Sequence, residues 1–161
     1  MTPFFLSPPQ TYLCHNKTIS DFTFLGSSSL VMTAGHSADH RNVVLWDTLM
    51  PTKKCLVSSF GAHEHGAASI AYGPLNQIVI TGGKKGEVAI YDMRQRLQRD
   101  RFQAHEGGGS GAAVKAIALD PGEEFFATGS ADGDIKVRGE RDICEFFLIN
   151  LPPCPPPRSG H

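Results

Sequence analysis

The sequence predicts an all-β fold: a partial β-propeller of two blades and most of a third, followed by a disordered proline-rich tail. Two observations carry this. The chain repeats with a period in the forties: His15, His63 and His105 each open a unit, 48 and 42 residues apart, and Trp46 and Tyr91 recur 45 residues apart. Each unit also holds short apolar runs separated by turn signals, up to four per unit, and that period and strand count are the signature of a propeller blade.

The elements follow in order. Residues 1–13 read as an N-terminal extension or a leftover strand. In the first unit, about 14–61, "SDFTF", "LVMTA", "VVLW" and "CLVSS" read as four strands. In the second, 62–103, "ASIAY", "QIVITG", "EVAIY" and part of "RLQRDRF" do the same. The third, 104–138, supplies "AVKAIAL", "EFFATG" and "DIKV", and the pattern then fails at Arg138, where a blade would place an aromatic ring. Residues 139–161 read as a divergent tail.

Between the runs, the "GGGSG" insert at 107–111 reads as a floppy loop extension, because Gly and Ser lose much freedom on ordering and bury little. "TGGKKGE" lacks the pattern of a phosphate-binding loop and reads as a tight turn with Gly86 at positive φ, its lysines Lys84 and Lys85 solvated or facing a partner. "RQRLQRDR" at 94–101 reads as a solvated outer strand.

Composition sets the broad class. A chain of 161 residues, 40% hydrophobic and 19% charged, is long enough to bury a core, and 17 Gly with 11 Pro favour turns and short strands. A net charge of -1 gives no electrostatic reason to expect nucleic acid or an anionic membrane as partner. No run approaches the ~20 apolar residues of a membrane span, and the N-terminus lacks the basic region of a signal peptide, so a cytoplasmic location without a span is expected. Cys14, Cys55, Cys144 and Cys154 are scattered without a C-x-x-C pair and read as free thiols.

Polar residues recur with the strands. A buried chain of aromatic, hydroxyl, imidazole and carboxylate would leave none of its members unpaired. The first unit offers His15, Thr33, Asp39 and Trp46. The second offers His63, Thr81 and Tyr91, with Lys85 where a carboxylate would stand; the third offers His105, Thr128 and Asp132, with Arg138 in place of the ring. A catalytic His-Asp-Thr relay and a metal site at His63 and His65 are the competing readings. Threefold recurrence within strands favours a structural role, with no catalytic, cofactor or metal residue expected. In the tail, Pro153, Pro156 and Arg158 form the P-x-x-P-x-R pattern of an SH3 ligand, short enough to arise by chance. "ICEFFLINL" would add a fourth strand to the third blade, lie against an open face or promote aggregation.

"CHNKTISDFTFLGSSSLVMTAGHSADHRNVVLWDTL", "GGKKGEVAIYDMRQR" and "VKAIALDPGEEFFATGSADGDIKV" together resemble the C-terminal WD repeats of the DmX-like, or rabconnectin, proteins over about residues 14–137. The resemblance implies blades of a very large non-catalytic scaffold similar to the large subunit of the RAVE complex. It implies a role in assembly or regulation of the vacuolar-type proton ATPase, with RAVE-type components and pump subunits as partners. The location it implies is cytoplasmic or peripheral on endosomal, vacuolar or synaptic-vesicle membranes. Where that family continues the third blade with a tryptophan, this chain reads "RGERD". The alternative reading is a generic WD-repeat adaptor in vesicle traffic, signalling or ubiquitin ligation. An arc of nearly three blades would leave an apolar face open at each end. At ~25 cal/mol per Å² that loss is large against a domain's stability, so self-association or a covering partner is expected.

Overall fold

A computed structural model describes residues 10–26, 29–107 and 109–139. The described residues form eleven strands in three antiparallel sheets. The first sheet holds β1 (Thr18–Phe24), β2 (Leu30–His36), β3 (Val43–Asp47) and β4 (Leu56–Phe60). The second holds β5 (Ala67–Gly73), β6 (Ile78–Gly83), β7 (Glu87–Asp92) and β8 (Leu97–Gln103). The third holds β9 (Val114–Leu119), β10 (Phe125–Ser130) and β11 (Ile135–Gly139). Each strand pairs with its successor, so each sheet is a meander. Between sheets the closest packing is at the first strands, β1 on β5 and β5 on β9, so the three sheets fan out from their inner strands as propeller blades do.

Sequence explains the layering. In β6 and β7 nearly every position is buried, because the middle sheet is covered on both faces and continuous apolar runs suit a strand with no solvent side. One seam packs Met32, Ala34, Val43 and Leu45 of the first blade against Ile70, Val79, Ala89 and Tyr91 of the second. The other packs Ile78, Ile80, Val88 and Ile90 against Val114 and Phe126 of the third. The outer faces lack such cover. Phe22 and Phe24 on β1 are 60% and 58% exposed, and Ile135 and Val137 on β11 are 75% and 69% exposed. These are the positions where further blades would pack, and they form apolar surface that water disfavours.

The turn at Gly86 adopts φ +88, and a Cβ there would run into the His105 carbonyl oxygen, so only glycine fits. The "RQRLQRDR" run enters β8, whose side chains are mostly exposed.

Two expectations need correction. The third-blade pattern does not stop at Arg138: β11 runs on to Gly139, pairing Arg138 with Phe126 and Gly139, assigned above to the tail, with Phe125. Ladder hydrogen bonds come from the backbone, so an arginine continues the strand as well as a ring would. The Gly-rich insert is also not floppy throughout. Residues Gly109–Ala112 make a 3₁₀ turn, and Ala112 and Ala113 are buried, which anchors its C-terminal end. Residues 1–9, the tail from 140 onward with Cys144, Cys154, Pro153, Pro156 and Arg158, and the "ICEFFLINL" segment lie outside the described residues.

Candidate functional site

The recurring threonines occupy one address in three sheets. Thr33 lies between Phe22 and Val44, Thr81 between Ile70 and Ala89, and Thr128 between Ile117 and Lys136, each at the middle of its blade's second strand. Each hydroxyl meets the Nε2 of the histidine that enters its blade. The distances are 3.0 Å for His15 and Thr33, 2.7 Å for His63 and Thr81, and 2.9 Å for His105 and Thr128. All three threonines are buried inside their sheets.

In the first blade the proton positions follow from the partners. His15 Nδ1 lies 3.1 Å from the Arg41 carbonyl, which only accepts, so Nδ1 carries the proton and Nε2 accepts from the Thr33 hydroxyl. Thr33 in turn accepts the indole N–H of Trp46 at 3.0 Å. Burial lowers His15 from the ordinary imidazole value and so favours this neutral form, opposed by the Arg41 carbonyl and by the charge of Asp39.

The second blade completes its histidine differently. His63 Nδ1 stands 3.3 Å from Glu87 Oε1, a close but poorly directed contact. Burial acts to raise the Glu87 carboxyl, yet the His63 interaction and backbone N–H groups outweigh it and hold the group below its usual value. Tyr91 is fully buried, and its hydroxyl has no partner of normal geometry among the described residues. Burial pushes that hydroxyl well above the ordinary tyrosine value, with Thr81 beside it acting the other way. In the third blade His105 Nδ1 has no hydrogen-bond partner among the described residues.

Neither predicted aspartate joins its set. Asp39 is turned outward onto the Arg41 guanidinium at 2.7 Å, and Asp132 accepts the backbone N–H of Asp134 at 3.2 Å within its own turn. Short turn carboxylates satisfy nearby backbone or side-chain donors before they reach inward. Two residues not foreseen from the sequence lie four positions before the aromatics, Asn42 just before the third strand of blade one and Glu87 at the start of that of blade two. Asn42 donates from Nδ2 to the His63 carbonyl, tying blade one to blade two, and Glu87 faces His63. Aligning the units on Trp46 and Tyr91 brings Asn42, Glu87 and Asp134 into one column, the signal that would have found them. Asp134 is one methylene shorter than glutamate and exposed.

Arg138 sits at the aromatic position without vacating it. Its register opposite Phe126 matches Trp46 opposite Val31 and Tyr91 opposite Val79. Tyr91 packs on Phe60 of the preceding blade's outer strand with ring centroids 4.6 Å apart, and the Arg138 guanidinium lies 4.0 Å from the centre of Phe102, on the outer strand before it. A cation over a ring face replaces ring on ring.

Two outcomes follow. Trp46→Phe removes the donor to Thr33 and is expected to destabilise by about 1 kcal/mol, whereas Tyr91→Phe removes a buried unpaired hydroxyl and is expected to stabilise by up to about 1 kcal/mol. Urea titrations of the two variants check the opposite signs. For Glu87, folding favours the ionised form, so the unfolded state binds more protons. Its stabilisation is present above the unfolded value of about 4.3 and is lost as pH falls through the depressed folded value. Glu87→Gln is expected to flatten the acid limb of stability against pH, measured by urea midpoints between about pH 6 and 3.

Further polar groups clasp neighbouring blades. Asp21 accepts the Ile70 N–H at 3.0 Å, Ser69 donates to the Val114 carbonyl at 2.8 Å, and the Glu123 carboxylate accepts the N–H groups of Leu75 and Asn76 at 2.8 Å each. Apolar seams sealed by such bonds make the sheets one unit.

Residues 97–138 match the family described as WD domain, G-beta repeat. DmX-like protein 1 of Mus musculus is 52% identical over 134 residues, covering 81% of this chain and 4% of that protein. DmX-like protein 1 of Homo sapiens is 51% identical over 130 residues, with the same coverage of 81% and 4%. Protein HIR1 of Yarrowia lipolytica is 25% identical over 150 residues, 81% of this chain and 13% of that protein. The chain therefore spans about one twenty-fifth of the length of the DmX-like proteins it matches. With blade-like sheets carrying the threonine sets and half-identity across four-fifths of its length, the chain is similar to a WD-repeat stretch of the DmX-like proteins.

Proposed function

We propose that this chain is a non-catalytic scaffold element that takes part in assembly or regulation of the vacuolar-type proton ATPase, with RAVE-type components and pump subunits as partners. The observation that supports this reading is the 52% identity to DmX-like protein 1. In this role the chain works from the cytoplasm, peripherally on endosomal, vacuolar or vesicle membranes, and contributes surfaces rather than chemistry. The expected result is that pump subunits co-purify with the tagged chain from detergent-solubilised membranes and not with a tagged propeller from another family. Equal recovery with both baits overturns the reading. A generic WD-repeat adaptor is the second reading, favoured by the breadth of the family matched at residues 97–138. It predicts partners from vesicle traffic, signalling or ubiquitin ligation in the same purification. Sedimentation over a range of concentrations separates partner binding from self-association through the open faces at Phe22, Phe24, Ile135 and Val137.

A further inference from the structure

The paired lysines of the "TGGKKGE" turn and the second histidine of "HEH" take no part in the blade sets, and the fold brings them together. At one end of the first two blades Thr18 pairs with His36 and Ala67 pairs with Gly83. Lys17 therefore precedes β1, and Lys84 follows β6, at the same end as His36. The Lys84 N–H donates to the Gly66 carbonyl at 3.0 Å, next to His65. Gly66, at φ +103, lets this loop lie directly on blade one: a Cβ there would come within 3.2 Å of His36 Cβ. His36 is lowered from its ordinary value first by desolvation and then by Lys17, Lys84, His65 and His40, the charged and titratable groups facing it from the surrounding strand ends. The ion pairs among the described residues are Arg41 with Asp39, His63 with Glu87 and Arg94 with Asp92, so none of Lys17, His36, His40, His65 and Lys84 has a paired carboxylate there.

The corresponding loops of blade three are more acidic, with Glu106, Asp132 and Asp134 exposed, whereas those of blades one and two expose Glu64 and an Asp39 held by Arg41. A broad anionic membrane pressed against this end would meet the three blade-three carboxylates, whereas a short acidic segment lying along Lys17, His36 and Lys84 would avoid them and meet Glu64 beside His65, with Asp39 already held by Arg41.

We propose that the strand ends around Lys17, His36, His40, His65 and Lys84 form a docking surface for an acidic segment of a partner protein, one that binds more tightly as pH falls. Carboxylates placed there relieve like-charge repulsion, and an imidazole facing them takes up a proton on binding, so affinity rises with acidity. The proposal is independent of which complex the chain joins, since its test uses a defined peptide.

The test is fluorescence anisotropy of a dye-labelled hexaglutamate peptide with the whole chain at low salt, with hexaglutamine as the neutral control. Binding is expected to strengthen about tenfold from pH 7.5 to 5.5 and to weaken with added salt. Lys17→Gln with Lys84→Gln is expected to weaken it about tenfold, while Lys53→Gln with Lys54→Gln, the same charge change on the exposed β3–β4 connection, leaves it unchanged. Circular dichroism checks that both pairs of substitutions leave the sheets folded. Calorimetry of the unsubstituted chain in two buffers of different ionisation enthalpy is expected to show proton uptake on binding. Three results overturn the proposal: no binding of hexaglutamate, equal loss in the two double variants, or displacement of the peptide by inorganic phosphate or phosphatidylserine vesicles at matched charge.

Discussion

Tyr91→Ala is expected to lower stability by about 3–5 kcal/mol, the largest loss from any single truncation at the first seam. Tyr91 is fully buried and packs at a tilt against Phe60, and its ring closes the cluster of Met32, Leu45 and Val79. Truncation removes the apolar area and leaves a void that two packed sheets cannot close, since each is fixed by its own ladder. The measurement is the urea midpoint at constant slope, set against Tyr91→Phe, which keeps the ring and is expected to lose nothing. A loss below about 1 kcal/mol for the alanine variant would mean that the two sheets do not share a core.

Glu123→Ala is expected to cost about 3 kcal/mol, at the second seam. The side chain is buried in the β9–β10 turn, and its two oxygens take the Leu75 and Asn76 amides of the neighbouring blade at 2.8 Å each. Alanine leaves both N–H groups without an acceptor inside the protein. Glu123→Gln retains one acceptor oxygen and turns an amide donor toward the other N–H, so roughly half the loss is expected. Amide exchange at Leu75 and Asn76, faster in both variants, localises the effect to the seam and distinguishes it from general unfolding.

The threonine sets and the clasp at Glu123 differ in how far the sequence revealed them. Thr33, Thr81 and Thr128 were legible because each lies inside an apolar run, 18 residues after a recurring histidine in the first two units and 23 after it in the third, where the Gly-rich insert lengthens the loop. Asn42 and Glu87 were hidden because the turn aspartates Asp39 and Asp132 stood at plausible spacing, and nothing in spacing shows which way a turn carboxylate points. Glu123 was passed over as one acid among several in "DPGEEFF". Its partners lie 48 and 47 residues away in sequence.

By itself, the sequence determined the all-β class, the three units and the strand bearing each threonine. Strand alternation and turn chemistry are local, and repetition makes them legible three times over. Only the tertiary structure decided that Arg138 takes the place of a ring over Phe102, that Glu87 rather than a turn aspartate faces a buried histidine, and that Lys17, Lys84 and three histidines gather on two blades. Those outcomes depend on which strand ends meet when one sheet packs on the next. Contact across a seam is set by blade geometry and by the reach of individual side chains, neither of which is written in the spacing of residues along one strand.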